Sequence, residues 1–162
     1  MKRLALAAAI IVTAASGAAA QNATQIAQVQ SGRKACVGCN LFQADLSYLD
    51  LSGRSFARAR LRQASLELTT ADRANFSGAD LAFANLFGMR AGGATFAGSN
   101  LSNAVLVGFY GQRANFAGAT LTGANFSGAE ISSARGLTQA QLSKACGDAA
   151  TKLPDRLTIP AC

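Results

Sequence analysis

Four cysteines are the residues of this 162-residue chain whose type and spacing best suit chemistry. Cys36 and Cys39 form a CxxC, a spacing that serves a disulfide, a thiol redox couple or half of a metal site, while Cys146 and Cys162 bracket the C-terminal tail. A four-thiolate zinc site needs a second short spacing, which the distal pair lacks. No thioredoxin-like pattern surrounds the CxxC. The expectation is therefore two structural disulfides, each cysteine bonded to its near neighbour. The alternative is a periplasmic thiol redox or metal-handling protein acting through Cys36 and Cys39. The chain has no histidine, which excludes histidine triads and histidine metal sites. Its eight acidic residues are scattered and suggest no acid–base pair, and no phosphate-binding glycine loop is present. No catalytic residue, cofactor or metal is expected, and the chain is not read as an enzyme.

The compartment is read from the N-terminus. Lys2 and Arg3 precede a small, apolar run from Leu4 to Ala15, and Ala18 and Ala20 are placed for cleavage before Gln21. This is the layout of a secretory signal over residues 1–20, and the run is too short to span a bilayer. An exported protein is expected, periplasmic in a Gram-negative source, with no transmembrane segment after cleavage. The formal charge is +7; without Lys2 and Arg3, 13 basic residues face 8 acidic ones, about +5. Export separates such a chain from nucleic acid, so a protein partner or an anionic envelope polymer is the expected attractor.

The elements that would hold these residues follow from the spacing of apolar side chains. From Leu41 to Ile131 a centre recurs at every fifth position in one unbroken register. On a helix that step smears the apolar residues around the axis, and on a strand it alternates faces. A core forms only if the chain bends after every five residues. A second period of twenty links Phe56, Phe76, Phe96 and Phe116, which makes a four-sided coil. Stacked at the strand spacing of about 4.8 Å, nearly five coils give an all-β solenoid on the order of 23 Å long.

The exceptions keep the same spacing. Ala71, Ala91 and Gly111 are small centres, and each has a larger residue two places earlier: Thr69, Met89 and Phe109. Elsewhere the position two before the centre is mostly alanine. Both positions must face inward, with volume traded between them, as an interior of fixed cross-section requires.

The segments "ADLSYLDLSG", "ANFSGADLAFANLFG" and "ANFAGATLTGANFSGAEI" resemble the pentapeptide-repeat proteins, whose unit is written A(D/N)LXX. The resemblance implies a right-handed quadrilateral β-helix, with handedness supplied by the family alone. Some members are acidic dimers that resemble DNA and bind topoisomerases; this chain is basic and lacks outward acidic ladders, so that role is not expected.

The solenoid is assigned to residues 36–136 and a flexible lead-in to residues 21–35. A C-terminal helix and tail, residues 137–162, are expected to cap the far end. Thr138 with Gln141 three residues later reads as a capping box, and Gly147 as a helix stop. Arg54, a charge at a normally small inward position, is expected to escape past the open first coil. Outside, Arg58, Arg60 and Arg62 form a candidate anion-attracting patch, with Asp80 a competing partner for Arg60. Phe83, Phe87, Val105, Val107 and Tyr110 form a candidate interaction surface unless the tail covers them. Arg90 beside Tyr110 suggests a cation–π pair. The function expected is a non-enzymatic structural or binding module of the cell envelope.

Overall fold

The computed structural model describes residues 22–162, so residues 1–20, read above as a secretory signal, lie outside the described residues. Pairing is parallel and made of isolated β-bridges offset by twenty residues, from Ala35 with Ser55 through to Asn115 with Arg135. Each quintet contributes one bridged residue and one tight turn, so the walls are one-residue rungs rather than extended strands.

The backbone account explains why this closes. In the quintet after Leu41, Leu41 N donates to Arg60 O and Gln43 N to Arg62 O on the next coil. Ala44 N closes the turn onto Leu41 O, and Ser65 N donates to Ala44 O from the coil above. The third turn residue carries positive φ, as at Gln43, Tyr48 and Gly53, which is the demand of a type II turn. One amide per quintet remains, and where an Asp or Asn precedes the centre its side chain takes it. Ser47 N donates to Asp45 Oδ1, Ser77 N to Asn75 Oδ1, and Ser127 N to Asn125 Oδ1. The Asp/Asn of the repeat is thus a turn device that satisfies a main-chain donor the coil pairing leaves over.

Four columns of centres fill the interior. The Leu41 column is leucine throughout, and the Leu46 column is leucine until Phe126. In the Phe56 column the rings of Phe56, Phe76, Phe96 and Phe116 stack with centroids 5.2 to 5.3 Å apart. The Leu51 column holds Ala71, Ala91 and Gly111, and there Thr69, Met89 and Phe109 are fully buried two places earlier. Phe109 meets Phe96 and Phe116 edge-on, at 5.8 and 6.1 Å. A Cβ added to Gly111 would strike Cε1 of Phe109, so the two positions share one volume.

The N-terminal end differs from the sequence expectation. Within the stretch assigned as a lead-in, Ala23–Gln30 form helix α1, whose Asn22 cap accepts from Gln25 N at 3.1 Å. Val29 is fully buried in the core cluster, and Gln25 Oε1 accepts Asn40 N at 2.7 Å. Arg54 consequently does not reach past an open end: its guanidinium donates to Val29 O at 2.9 Å and is partly buried. Hydrogen bonding to that carbonyl is what makes a charge tolerable at an inward position.

At the other end, α2 (Gln139–Leu142) carries the reciprocal capping box of Thr138 and Gln141. Gln141 Nε2 also donates to the carbonyls of Phe116 and Ala119, and Leu142 is fully buried. Beyond α2 the chain still pairs with the solenoid, Cys146 with Asn125 and Lys152 with Glu130. Cys146 is bonded to Cys162 and Cys36 to Cys39.

Candidate interaction surface

The Cys36–Cys39 bond is 1% and 6% exposed at its two residues and sits in the first inward positions. Thiol exchange requires access of an attacking thiolate to a sulfur, which this placement denies. The exposed side chains lie on the outer wall.

On that wall the Leu46 side carries most of the exposed apolar area. Phe83 stands at one of its corners, Val105 on its flat, and Phe87 and Val107 one coil apart at the other corner. Phe83 is 47% and Phe87 42% exposed with the C-terminal tail in place, and Val107 is half-buried. Tyr110 lies round the corner, on the Leu51 side, and so belongs to a different surface. Two residues that the sequence reading passed over join the Phe87 corner: Tyr48, 72% exposed, and Leu68, 46% exposed. Tyr48, Leu68, Phe87 and Val107 thus make a ridge climbing four coils, about 14 Å. Tyr48 and Leu68 take the positive-φ turn position, which otherwise carries glycine or a polar or charged residue except at Phe83, and apolar bulk there is the signal that would have found them. Gly88 leaves room for Leu68, since a Cβ there would come within 2.6 Å of Leu68 Cδ2.

The three arginines span one coil on the adjoining side, all exposed. Arg62 lies over the Phe83 ring at 4.9 Å, a cation–π contact that ties this patch to the apolar one. Arg60 does not pair with Asp80, whose carboxylate accepts instead from Ala82 N and Asn100 Nδ2, both at 3.2 Å. Nor is Arg90 spent on Tyr110: it turns to Asp72, 3.4 Å away. A carboxylate within reach outcompetes a ring face for a guanidinium.

The pattern that defines Pentapeptide repeats matches eight copies across residues 36–70, 55–89, 92–128 and 112–146, more than half of the chain. The chain belongs to the pentapeptide repeat family. Its coils superpose on HetL, a pentapeptide repeat protein involved in heterocyst differentiation regulation in the cyanobacterium Nostoc sp. strain PCC 7120. The TM-score is 0.65 at 25% identity, covering 71% of this chain and 48% of HetL. This chain therefore spans about half the length of HetL. A pentapeptide repeat protein of the Arabidopsis thaliana thylakoid lumen is 29% identical over 64% of this chain and 81% of its own, with a TM-score of 0.31. Rfr23 from the cyanobacterium Cyanothece 51142 is 23% identical over 80% of this chain and 97% of its own, with a TM-score of 0.41. No curated protein matches the chain. With the twenty-residue coil, membership of the pentapeptide repeat family makes the architecture a right-handed quadrilateral β-helix.

Proposed function

We propose that this pentapeptide repeat protein is a non-enzymatic binding module of the bacterial envelope that presents the Leu46 side of its solenoid to a protein partner. Pentapeptide repeat proteins are generally non-enzymatic, protein-binding modules. The observation that carries the reading here is the exposed ridge of Tyr48, Leu68 and Phe87 on a wall whose every rung is hydrogen-bonded to its neighbours. Grouped apolar side chains on such a frame lose little conformational freedom on docking. A scaffold of nearly five coils, closed by α2 and its disulfide-tied tail, supplies that rigidity. Export rests on Lys2, Arg3 and the apolar run after them, and two disulfides suit an oxidising compartment. Among the described residues no helix is long and apolar enough to cross a membrane.

The test is capture from a periplasmic extract by immobilised wild type, Phe87→Asp, Leu68→Asp and, as a control, Arg58→Gln. The proposal expects one or more proteins retained by wild type and the control and lost by both ridge variants. An identical captured set for all four would overturn it. Fractionation of cells expressing the full chain tests export: the expected product is periplasmic and begins at Gln21, and an uncleaved cytoplasmic chain contradicts it.

A further inference from the structure

The corner between the Leu51 and Phe56 sides is recessed where the ridge corner protrudes. Its outward column of positive-φ positions reads Arg73, Gly93, Arg113, and the column before it Asp72, Gly92, Gln112. Two adjacent glycines remove every side chain from the middle coil. A concave groove of about 700 Å³ results, flanked along the axis by Arg73 and Arg113 and walled by Arg90 and Tyr110 on one side and Arg135 on the other.

Its charge is one-sided. Asp72 is the only carboxylate in the lining, and it is engaged twice, by Arg90 at 3.4 Å and by Gly92 N at 2.8 Å. Arg73, Arg113 and Arg135 have no acidic partner among the described residues. Three uncompensated guanidiniums around a concavity focus a positive potential into it. Each offers a planar fork matched to phosphate oxygens. The backbones of Arg73 and Arg113 are two coil steps apart, roughly 10 Å, a spacing that lets each fork take its own phosphate group of a linked pair.

We propose that this groove binds a soluble ligand carrying two or more linked phosphate groups, with Arg73 and Arg113 holding its ends and Arg135, one coil beyond Arg113, adding a further fork at that end. The site shares neither residues nor corner with the apolar ridge, so it stands whether or not the ridge binds a protein. Calorimetric titration of the folded protein at low ionic strength, with tripolyphosphate as probe, tests it. Wild type is expected to bind tripolyphosphate at least about tenfold more tightly than orthophosphate. Arg73→Gln and Arg113→Gln are each expected to weaken that binding at least about tenfold, and Arg156→Gln, an exposed arginine of the C-terminal tail outside the groove, to leave it unchanged. Thermal melts confirm that each variant is folded; Arg135→Gln, at a regular wall position, replaces either corner variant that is not. Absence of tripolyphosphate binding, equal loss in Arg156→Gln, or orthophosphate binding as tightly overturns the proposal. So does binding confined to phosphatidylglycerol vesicles, which would assign the groove to a lipid headgroup.

Discussion

The Phe56 column and the Leu51 column fill neighbouring sides of the same coils, yet they draw their bulk from different positions. In the first, phenylalanine occupies the centre and alanine stands two places before it at 74, 94 and 114. In the second the order is reversed: Thr69, Met89 and Phe109 supply the volume and Ala71, Ala91 and Gly111 make way. The two columns meet, since Phe109 packs edge-on against both Phe96 and Phe116. What is specified at each corner is a summed volume within a fixed square, not a residue type at one position.

The largest expected effect comes from the stacked column. Phe96 touches rings above, below and beside it, so Phe96→Ala opens a cavity that no neighbour can collapse to fill. A loss of about 3 to 5 kcal/mol is expected in urea unfolding. A change below about 1 kcal/mol would mean that the stack is not a packed core.

Exchange itself is tested in the other column. Gly111→Ala forces its new methyl onto the Phe109 ring and is expected to cost about 1 to 3 kcal/mol by overpacking. Phe109→Ala alone empties the site. The double variant Phe109→Ala with Gly111→Phe returns the volume from the other position and is expected to be more stable than Phe109→Ala. Strict additivity of the two changes in chemical unfolding would break the shared-volume account.

A finer difference between the columns is chemical. Thr69 is the polar member of the exchanged set, and its Oγ1 donates to Leu46 O at 2.9 Å inside the core. Thr69 N also makes the turn bond to Leu66 O, as Phe109 N does to Leu106 O two coils later, so the hydroxyl bond to Leu46 O is an additional one between coils. Thr69→Val keeps the shape and leaves a buried carbonyl without its donor, for an expected loss of about 1 to 2 kcal/mol. Thr69→Ser should recover part of it, and a Val variant as stable as wild type would show that the hydroxyl is only filler.

The interior was the legible part of this protein because fixed cross-section imprints itself on sequence as a period. Phe109 and Gly111 can be paired from spacing alone, as can Thr138 and Gln141 at the start of α2. Helix α1 was not legible: only Ile26 and Val29 mark its inner face, and eight residues carry too little periodicity to register. The fate of Arg54 depended on that helix and was missed with it. Outside, Phe83 and Phe87 stood out as apolar residues at solvent positions, whereas the arginine groove did not. Its shape comes from Gly92 and Gly93, and in sequence they look like any other corner glycines. Arg60 and Asp80 are bridged across adjacent coils, but Asp80 is committed to its own turn and to Asn100.

The smallest effect separates the walls from the filling. Asp45 and Asp50 have carboxyls held below the usual range, the first mainly by the Ser47 amide and the second by the Ser52 hydroxyl and amide. Glu130 is lowered by the Ser132 hydroxyl and Asp148 by the Gly128 amide. A carboxyl whose folded pKa is depressed contributes stability above its unfolded value, near 4, and that contribution disappears as pH falls through the folded value. All four groups cap turns on the outer wall, so acid should lower the melting temperature gradually below about pH 5 in wild type and in Thr69→Val alike. The gap between the two proteins should stay constant, because the Thr69 hydroxyl does not titrate. A gap that closes in acid would tie the buried bond to the turn carboxylates and merge the two layers that the exchanged column keeps apart.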